Sequence, residues 1–379
     1  MKKTWPRWFW VGLIIISGAT MQAQTRPRDA GISFGVLRPG ARNALTDVQG
    51  VRVGQVTVIE GTDVRTGVTA IVPHGGNIFQ EKVPAAVFVG NGFGKLTGVT
   101  QIEELGTLET PIVLTNTLGV AAAMEGVVTY TLSQPGNEGV RSVNAVIGET
   151  NDGGLNDIRK RPLQAAHTLQ ALAAADTGDV AEGNVGAGTG TRCFGFKGGI
   201  GTASRVLPAS LGGYTVGVLA QTNFGGVLQV DGVPIGELLG RFYLKEQLDY
   251  SPDGSCMMVV ATDAPLDARN LKRLAQRAML GLARTGGIAS NGSGDYVLAF
   301  STAAGLRVPH AMTTPLLAQH TLHNDAVSPL FLACIEATEE AIINALFAAA
   351  PMQANGISAD ALPVEEVLQL MKKYGRLKK

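Results

Sequence analysis

Residues 290–300 have the sequence SNGSGDYVLAF, a short glycine-rich segment that leads directly into an apolar run. Asn291-Gly292 before such a run is typical of a tight turn that opens a β-strand. The segment is not a nucleophile elbow, because that motif requires glycine at position 291, where asparagine stands. Ser293 ends this turn and carries a hydroxyl, which is a weak nucleophile unless another group activates it.

The composition of the whole chain favours a globular protein and excludes several other classes. The 379 residues include 31 Lys and Arg against 31 Asp and Glu, so the formal net charge is zero. A sequence-independent nucleic-acid binder needs a basic face, so we expect no nucleic acid as a partner. Hydrophobic residues make up 45% of the chain, which argues against disorder. The 49 glycines follow no fixed period, which excludes collagen and indicates many turns.

Residues 1–23 have the pattern of a secretory signal peptide. Three basic residues accompany an apolar run over residues 8–16, and Ala23 offers a small residue for cleavage. The run is shorter than the ~20 apolar residues that span a bilayer, so an uncleaved anchor is the less favoured alternative. We therefore predict a secreted protein, located in the periplasm and free of the membrane once the signal is removed. The mature chain would carry a formal net charge of −3.

Apolar stretches alternate with Gly, Asn and Pro along the rest of the chain and predict a mixed α/β fold. Strands are predicted at residues 51–59, 68–72, 85–89, 112–115, 142–148, 214–221, 257–261 and 296–301. Helices are predicted at residues 118–132, 155–175, 266–284, 329–349 and 364–374. Several of the strands are apolar throughout, which is typical of strands buried on both faces. We therefore expect one domain in which sheets are layered with helices.

Neither the cysteines nor the histidines form a recognisable metal motif. Cys193, Cys256 and Cys334 are widely spaced, so a single disulfide and buried free thiols are both open alternatives. His320 and His323 form the only close histidine pair, but they lack the glutamate of a zincin helix. We expect neither a metal nor a cofactor.

Three glycine-rich segments resemble phosphate-binding loops at first sight. They occupy residues 90–95, 186–190 and 197–202. Each of them misses the spacing of the Walker and dinucleotide-binding motifs. We interpret all three as tight turns where backbones approach each other closely, a role for which glycine is suited.

A break between Gly292 and Ser293 would activate the serine. Ser293 would become an N-terminus whose free amine has an ordinary pKa of about 7.7–8.0 and lies within reach of its own hydroxyl. That amine can act as the base for the hydroxyl proton. Glycine before the scissile bond tolerates the distortion that hydroxyl attack on the preceding carbonyl requires.

An ordered set of motifs along the mature chain resembles the family of L-aminopeptidase/D-amidase/D-esterase (DmpA) and the β-peptidyl aminopeptidases. Besides the Ser293 segment, the resemblance is carried by residues 43–54, 90–95, 103–106, 110–117, 148–153, 186–191, 197–202, 203–205, 221–225 and 336–342. Each motif is weak alone, but the ordered set is specific.

The resemblance implies an αββα sandwich similar to that of N-terminal-nucleophile hydrolases. The precursor would cut itself between Gly292 and Ser293, so that residues 24–292 form the α chain and residues 293–379 the β chain of one domain. The β chain would have 87 residues and a mass of roughly 9 kDa. The two chains would stay together and assemble into a homo-oligomer, a tetramer or an octamer.

The same resemblance implies roles for particular residues. Ser293 would be the nucleophile, and Asn223 would donate its amide to the oxyanion, with a strand-capping asparagine as the structural alternative. Glu149 would pair with the N-terminal ammonium of the substrate, with a surface glutamate at a strand end as the alternative. Asp152 and Asp157 compete with Glu149 for that role.

Two further residues complete the implied site. Thr338 and Glu340 match positions that place a hydroxyl and a carboxylate beside the nucleophile in the family. Glu340 would orient the hydroxyl or the amine of Ser293. The alternative is that both are ordinary residues of a helix.

The function implied is that of an autoprocessed, secreted serine aminopeptidase. It would release small L-, D- or β-amino acyl groups from short peptides, amides or esters through an acyl-enzyme on Ser293. An uncleaved periplasmic protein that binds a small ligand is one alternative. An acetyl-transferring relative such as ornithine acetyltransferase is another, disfavoured because that family cleaves before threonine.

Overall fold

The computed structural model of the protein describes residues 26–243, 245 and 254–378. The predicted signal peptide lies outside the described residues. The strands are, in chain order, β1 Arg52–Glu60, β2 Val64–Val72, β3 Glu81–Gly92, β4 Thr107–Leu108, β5 Ile112–Asn116, β6 Val146–Thr150, β7 Arg192–Cys193, β8 Phe196–Lys197, β9 Gly199–Val206, β10 Thr215–Asn223, β11 Ser255–Thr262, β12 Gly294–Ser301, β13 Val308–Pro309, β14 Met352–Ala354 and β15 Ile357–Ala359. The α-helices are α1 Val99–Leu105, α2 Val120–Leu132, α3 Ala165–Ala173, α4 Ile235–Leu238, α5 Ala268–Arg284, α6 Ser328–Ala348 and α7 Val364–Lys373.

Two sheets form the centre of the molecule. The first has the strand order β1-β2-β5-β6, antiparallel except for the parallel pair β5 and β6. The second has the order β13-β3-β12-β11-β10-β9, with β4 paired to β3. In this second sheet β11 and β12 run parallel, and the other pairs are antiparallel.

Three buried layers show how sheets and helices are stacked. The central layer joins the two sheets, with Leu114 from the first packed among residues such as Leu219 and Leu298 from the second. A second layer lies between the larger sheet and helices α5 and α6, and a third between the smaller sheet and helices α2 and α3. The order is therefore helix, sheet, sheet, helix, which confirms the predicted αββα sandwich and the single domain.

Each predicted strand and helix overlaps an observed one, but two regions differ from the prediction. The helix expected over residues 155–175 is observed only as α3, because the chain first forms a short 3-10 turn and then meets Pro162, which cannot donate a helical hydrogen bond. The glycine-rich residues 197–202 are not merely a turn but include the start of β9. Glycine is required there because a Cβ on Gly201 would lie 1.9 Å from the Ala341 carbonyl oxygen of α6.

Two smaller observations concern the state of the cysteine thiols and the apolarity of the helices. All three cysteines are buried free thiols, so the disulfide alternative is not realised. Burial raises the pKa of Cys193 and of Cys334 to about 12, which keeps both thiols protonated and unreactive. In the described part of the chain, no helix combines the length and apolarity that a membrane crossing needs.

Candidate active site

The segment before β12 forms a tight turn that holds the Gly292–Ser293 bond. The Ser293 N–H donates to the Ser290 carbonyl at 2.9 Å, which closes the turn. Just ahead of it, Ala289 adopts a φ of 46°, a left-handed conformation that is uncommon for a residue with a Cβ. The predicted cleavage site is therefore a constrained turn, entered through a strained residue.

The end of β3 holds this turn in place through Asn91. Its side-chain amide donates to the carbonyls of Ser290 and Asn291 at 3.0 and 3.1 Å, and makes a shorter contact with the Ser293 carbonyl. The Phe93 N–H also donates to the Ser293 carbonyl, at 3.1 Å. The carbonyl groups around the scissile bond are thereby fixed by donors from a neighbouring strand. Sequence analysis marked residues 90–95 as a motif but assigned Asn91 no role.

The Ser293 side chain is buried beside a carboxylate that sequence analysis missed. Ser293 is 1% exposed and Asp295 is fully buried. Within the described residues, neither the Ser293 Oγ nor the two Asp295 Oδ atoms complete a hydrogen bond of normal geometry. Burial raises the pKa of Asp295 to about 6, while the nearby Ser293 hydroxyl and Cys256 backbone lower it. A carboxylate two residues after the candidate nucleophile, at the head of an apolar run, is the sequence signal that could have found it.

Asn223 lies at the same end of the larger sheet, two strands away from the start of β12. It pairs with Ser255 of β11, which in turn pairs with Gly294. At about 4.8 Å per strand, this separates the Asn223 and Gly294 backbones by roughly 10 Å. The Asn223 amide donates to the Asn151 carbonyl at 2.9 Å, and its oxygen accepts from the Arg192 N–H at 3.0 Å. The amide is thus held in a fixed orientation at the rim of the site.

Glu149 reaches the site from the smaller sheet. It ends β6 and is 2% exposed. Its carboxylate accepts from the Lys95 N–H at 2.9 Å and from the Thr117 hydroxyl, and lies 3.8 Å from the Lys95 ammonium. Gly94, just before Lys95, leaves little room for a side chain, because a Cβ there would lie 3.2 Å from the Glu149 Oε1.

Residues from both sheets and the loops beside them line one cavity of about 310 Å³. It is lined by Phe93, Lys95, Thr117, Glu149, Asn151, Gly154, Gly254, Ser255 and Gly292. Gly292 and Glu149 are therefore two walls of one cavity, and Asn151, the partner of Asn223, is a third. The cavity is large enough for a small ligand.

The competing acidic residues have other partners. Asp152 is buried and accepts from the Asn156 amide at 3.0 Å, and burial raises its pKa to about 6. The Asp157 N–H donates to the Asp63 carbonyl at 2.7 Å. Neither aspartate lines the cavity, whereas Glu149 does. Of the three candidates, Glu149 has the position that the predicted ammonium contact requires.

Thr338 lies in the middle of the continuous helix α6. It is fully buried, and its hydroxyl donates to the Cys334 carbonyl one turn earlier at 2.7 Å. A Cβ on Gly281 of α5 would lie 2.6 Å from the Thr338 Cβ, so Thr338 packs between two helices. A role for its hydroxyl beside the nucleophile stays a prediction.

Glu340 belongs to a buried ion-pair network. Its carboxylate accepts from the Asn43 amide at 2.6 Å, and pairs with the guanidinium groups of Arg28 and Arg205 at 2.5 and 2.7 Å. Burial alone would raise the pKa of Glu340, but these partners outweigh it and hold the pKa below its ordinary value.

The sheet register locates this ion-pair network. Arg205 of β9 is level with Ser301 of β12 across the sheet. The Ala341 carbonyl, next to Glu340 on α6, lies against Gly201 of β9, which is level with Val297 of β12. Glu340 therefore lies on the β9 side of the larger sheet, and its role in orienting the Ser293 hydroxyl or amine stays a prediction.

The site offers no cluster of metal ligands. Within the described residues, no three His, Cys, Asp or Glu side chains are grouped so that they could hold a metal ion. The chemistry that the residues support is acyl transfer: a serine hydroxyl at a constrained peptide bond, a fixed amide donor, and a carboxylate across a small cavity.

Comparison with known proteins gives the geometry a family context. The profile of Peptidase family S58 matches residues 43–358. The β-peptidyl aminopeptidase BapA of Sphingosinicella microcystinivorans is 41% identical over 389 residues, covering 96% of each chain.

Two solved structures are similar over nearly the whole chain. A Burkholderia sp. β-aminopeptidase superposes with a TM-score of 0.85 at 43% identity, covering 92% of this chain and 99% of that one. The L-aminopeptidase D-Ala-esterase/amidase of Ochrobactrum anthropi, a serine aminopeptidase described as a variant of the Ntn hydrolase fold, superposes with a TM-score of 0.86 at 37% identity. It covers 93% of this chain and 100% of its own.

Proposed function

The chain belongs to peptidase family S58 and is an aminopeptidase of that family, and we propose that it works as a serine aminopeptidase that first cuts itself between Gly292 and Ser293. The observation that carries the proposal is the position of Gly292, which lines the same cavity as Glu149 while the next peptide bond is fixed in a tight turn. A cut there would leave a serine amine and hydroxyl together at the cavity wall.

The mature enzyme would use Ser293 as both nucleophile and base. Its free amine, with an ordinary pKa of about 7.7–8.0, accepts the hydroxyl proton as Oγ attacks the substrate carbonyl. Asn223 is the donor for the oxyanion, a role worth about 2.7–4 kcal/mol in other hydrolases. To do this, its amide exchanges the Asn151 carbonyl for the oxyanion. Water then hydrolyses the acyl-enzyme.

Glu149 gives the proposed enzyme its preference for a free N-terminus. A substrate ammonium in the cavity would pair with this carboxylate, which at present contacts the half-exposed Lys95 ammonium at 3.8 Å. The charge-assisted contact favours substrates with an unblocked amine. The size of the cavity favours small N-terminal groups, and we propose short peptides, amides or esters with L-, D- or β-amino acyl groups, as the names of the relatives suggest.

Processing and location complete the proposal. We propose that residues 1–23 direct export to the periplasm, that residues 24–292 and 293–379 become the α and β chains of the domain, and that the processed protein assembles into a homo-oligomer. The support is the basic and apolar pattern of the leader, the turn at the cut, and the likeness to whole-chain relatives.

An activity assay tests the proposal. Wild-type protein should release p-nitroaniline from alanine p-nitroanilide or ammonia from β-homo-amino acid amides, and Ser293→Ala should release neither, because it lacks the attacking hydroxyl. Ser210→Ala, at an exposed position, is the matched control and should keep wild-type rates. Equal activity in Ser293→Ala would refute the proposal.

A further inference from the structure

Asp295 carries a buried carboxylate that the mechanism so far does not use. It is fully buried and forms no ion pair among the described residues. The Ser293 hydroxyl and the Cys256 backbone lie close enough to lower its pKa, but neither makes a hydrogen bond of normal geometry to it. An unpaired buried carboxylate destabilises a folded protein, and an amide or apolar side chain would be less costly there. A buried carboxylate that lowers the stability of the fold, next to a reactive group, is typical of functional sites rather than of structural positions.

The geometry joins this carboxylate to the Ser293 hydroxyl. Ser293 directly precedes β12, and its hydroxyl lies close enough to the Asp295 carboxylate to lower the pKa of that group. Asp295 shares its face of β12 with Val297, which packs in the layer between the sheet and helices α5 and α6. Gly292 instead lines the cavity. The scissile bond thus has the cavity on one side and a dry carboxylate, close to the hydroxyl, on the other.

Self-cleavage has a requirement that the mature mechanism does not meet. Before the cut, the Ser293 nitrogen is a peptide nitrogen that donates to the Ser290 carbonyl, so it cannot accept a proton. The hydroxyl proton must still leave as Oγ attacks. Resting on the proposed self-cleavage, we propose that the Asp295 carboxylate is the base for this first cut.

The step balances as a proton shuttle. Oγ bonds to the Gly292 carbonyl carbon, its proton passes to an Asp295 oxygen, and the carbonyl electron pair moves onto the carbonyl oxygen. As the intermediate collapses, the bond from Gly292 to the Ser293 nitrogen breaks, and Asp295 returns the proton to that nitrogen. The product is an ester between Gly292 and the Ser293 Oγ. Water hydrolyses it to a Gly292 carboxylate and a free serine, and Asp295 is ionised again.

The groups around Asp295 leave its carboxylate free to act. From β11 it faces Cys256, whose thiol has a pKa raised well above the ordinary value by burial. Tyr296, the next residue on its own strand, points to the opposite face, and burial raises its pKa too. Its partner on β3 is the neutral Asn91. The cations of α5 are engaged elsewhere: Lys272 contacts Glu103, Arg284 contacts Glu339, Arg269 contacts Asn324, and Arg273 and Arg277 lie over the Phe331 ring.

The pH dependence has a defined sign. Because the pKa of Asp295 is raised to about 6, the carboxylate is protonated and unable to accept a proton below that value. Cleavage should therefore slow about tenfold per pH unit below about pH 6 and level off above it. This profile can be measured on freshly synthesised wild-type precursor by intact-mass spectrometry. A rate that stays flat through this range would overturn the proposal without any variant.

Asp295→Asn is the direct test. The amide keeps the shape of the side chain but cannot take the proton. The precursor should therefore cut about 100-fold more slowly, and its cleavage rate should no longer change near pH 6. Asp263→Asn is the matched control, because Asp263 also has a pKa raised by burial but accepts from the Thr215 N–H at the far end of the sheet. It should cut at the wild-type rate.

The outcomes separate this inference from the proposed function. A folded Asp295→Asn precursor that cuts at the wild-type rate would overturn the role of Asp295 while leaving self-cleavage intact. So would one that cuts slowly but whose cleavage rate still changes near pH 6. A wild-type precursor that never cuts would instead refute the proposed function. Thermal unfolding of Asp295→Asn beside the uncut Ser293→Ala precursor establishes that the variant is folded.

Discussion

Two buried carboxylates, Glu340 on α6 and Asp295 on β12, differ in their partners. Glu340 is paired with Arg28 and Arg205 and accepts from Asn43. Asp295 forms no ion pair among the described residues, and its carboxylate has only the Ser293 hydroxyl and the Cys256 backbone close by, with no hydrogen bond of normal geometry. The pKa of Glu340 is held below its ordinary value, and that of Asp295 is raised to about 6. The difference teaches that a fully paired charge fixes the fold, while an unpaired one beside a hydroxyl can exchange protons.

Removing a cation from the buried ion-pair network around Glu340 should have the largest effect on stability. Arg205 is fully buried and contacts both Glu336 and Glu340, so Arg205→Met leaves two buried carboxylates without their shared cation. We expect a loss of about 3–5 kcal/mol in the free energy of unfolding. The measurement is denaturant unfolding in the Ser293→Ala background, where a single uncut chain can be compared.

The matched control for that loss is a surface pair. Arg241 and Asp360 are half-exposed partners at 2.9 Å, and Arg241→Met should change the free energy of unfolding by no more than about 1 kcal/mol. If both substitutions cost the same, the buried network does not stabilise the fold as described here.

Glu149 sharpens the comparison, because it is a third buried carboxylate whose cation, Lys95, sits at a cavity and can be exchanged. Glu149→Gln removes the charge that would pair with a substrate ammonium. We expect kcat/KM for free-amine substrates to fall about 10- to 100-fold, the worth of a charge-assisted hydrogen bond. Steady-state kinetics on alanine p-nitroanilide measure it, with the exposed Glu60→Gln as control. Unchanged kinetics would remove Glu149 from the site.

Thr338 should give the smallest effect. Because its hydroxyl donates to its own helix and its side chain packs against Gly281, Thr338→Val keeps the volume and loses one hydrogen bond. Stability should change by about 1 kcal/mol, and both self-cleavage and activity should stay within about twofold of wild type. Intact-mass spectrometry and the same kinetic assay report this. Abolished cleavage in a folded variant would contradict this expectation and support a role for the Thr338 hydroxyl beside the nucleophile.

Much of the fold was predictable from the sequence because apolar runs and breakers are local signals. The buried strands and the long helices α5 and α6 follow from periodicity and from Pro329 at a helix start. The strand β9 was harder to predict, because its glycines have low strand propensity. Gly201 is explained by the close approach of α6 and Gly199 by that of the Gly183 backbone, and no local pattern contains these tertiary contacts.

The site was predictable in part. The turn at Ser293 and the strand-end positions of Glu149 and Asn223 were accessible through motifs, and the structure brings all three to one end of the sheets. The roles of Thr338 and Glu340 came from resemblance alone and stay predictions. The role inferred for Asp295 depends on burial and on the lack of an ion pair among the described residues, which a sequence does not display.

Intact-mass spectrometry under denaturing conditions on wild type and Ser293→Ala tests the central claim most directly. The account predicts two wild-type chains, one of them beginning at Ser293 with a mass of roughly 9 kDa, and a single uncut chain for the variant. An unbroken wild-type chain, or a variant cut at the same bond, would contradict it.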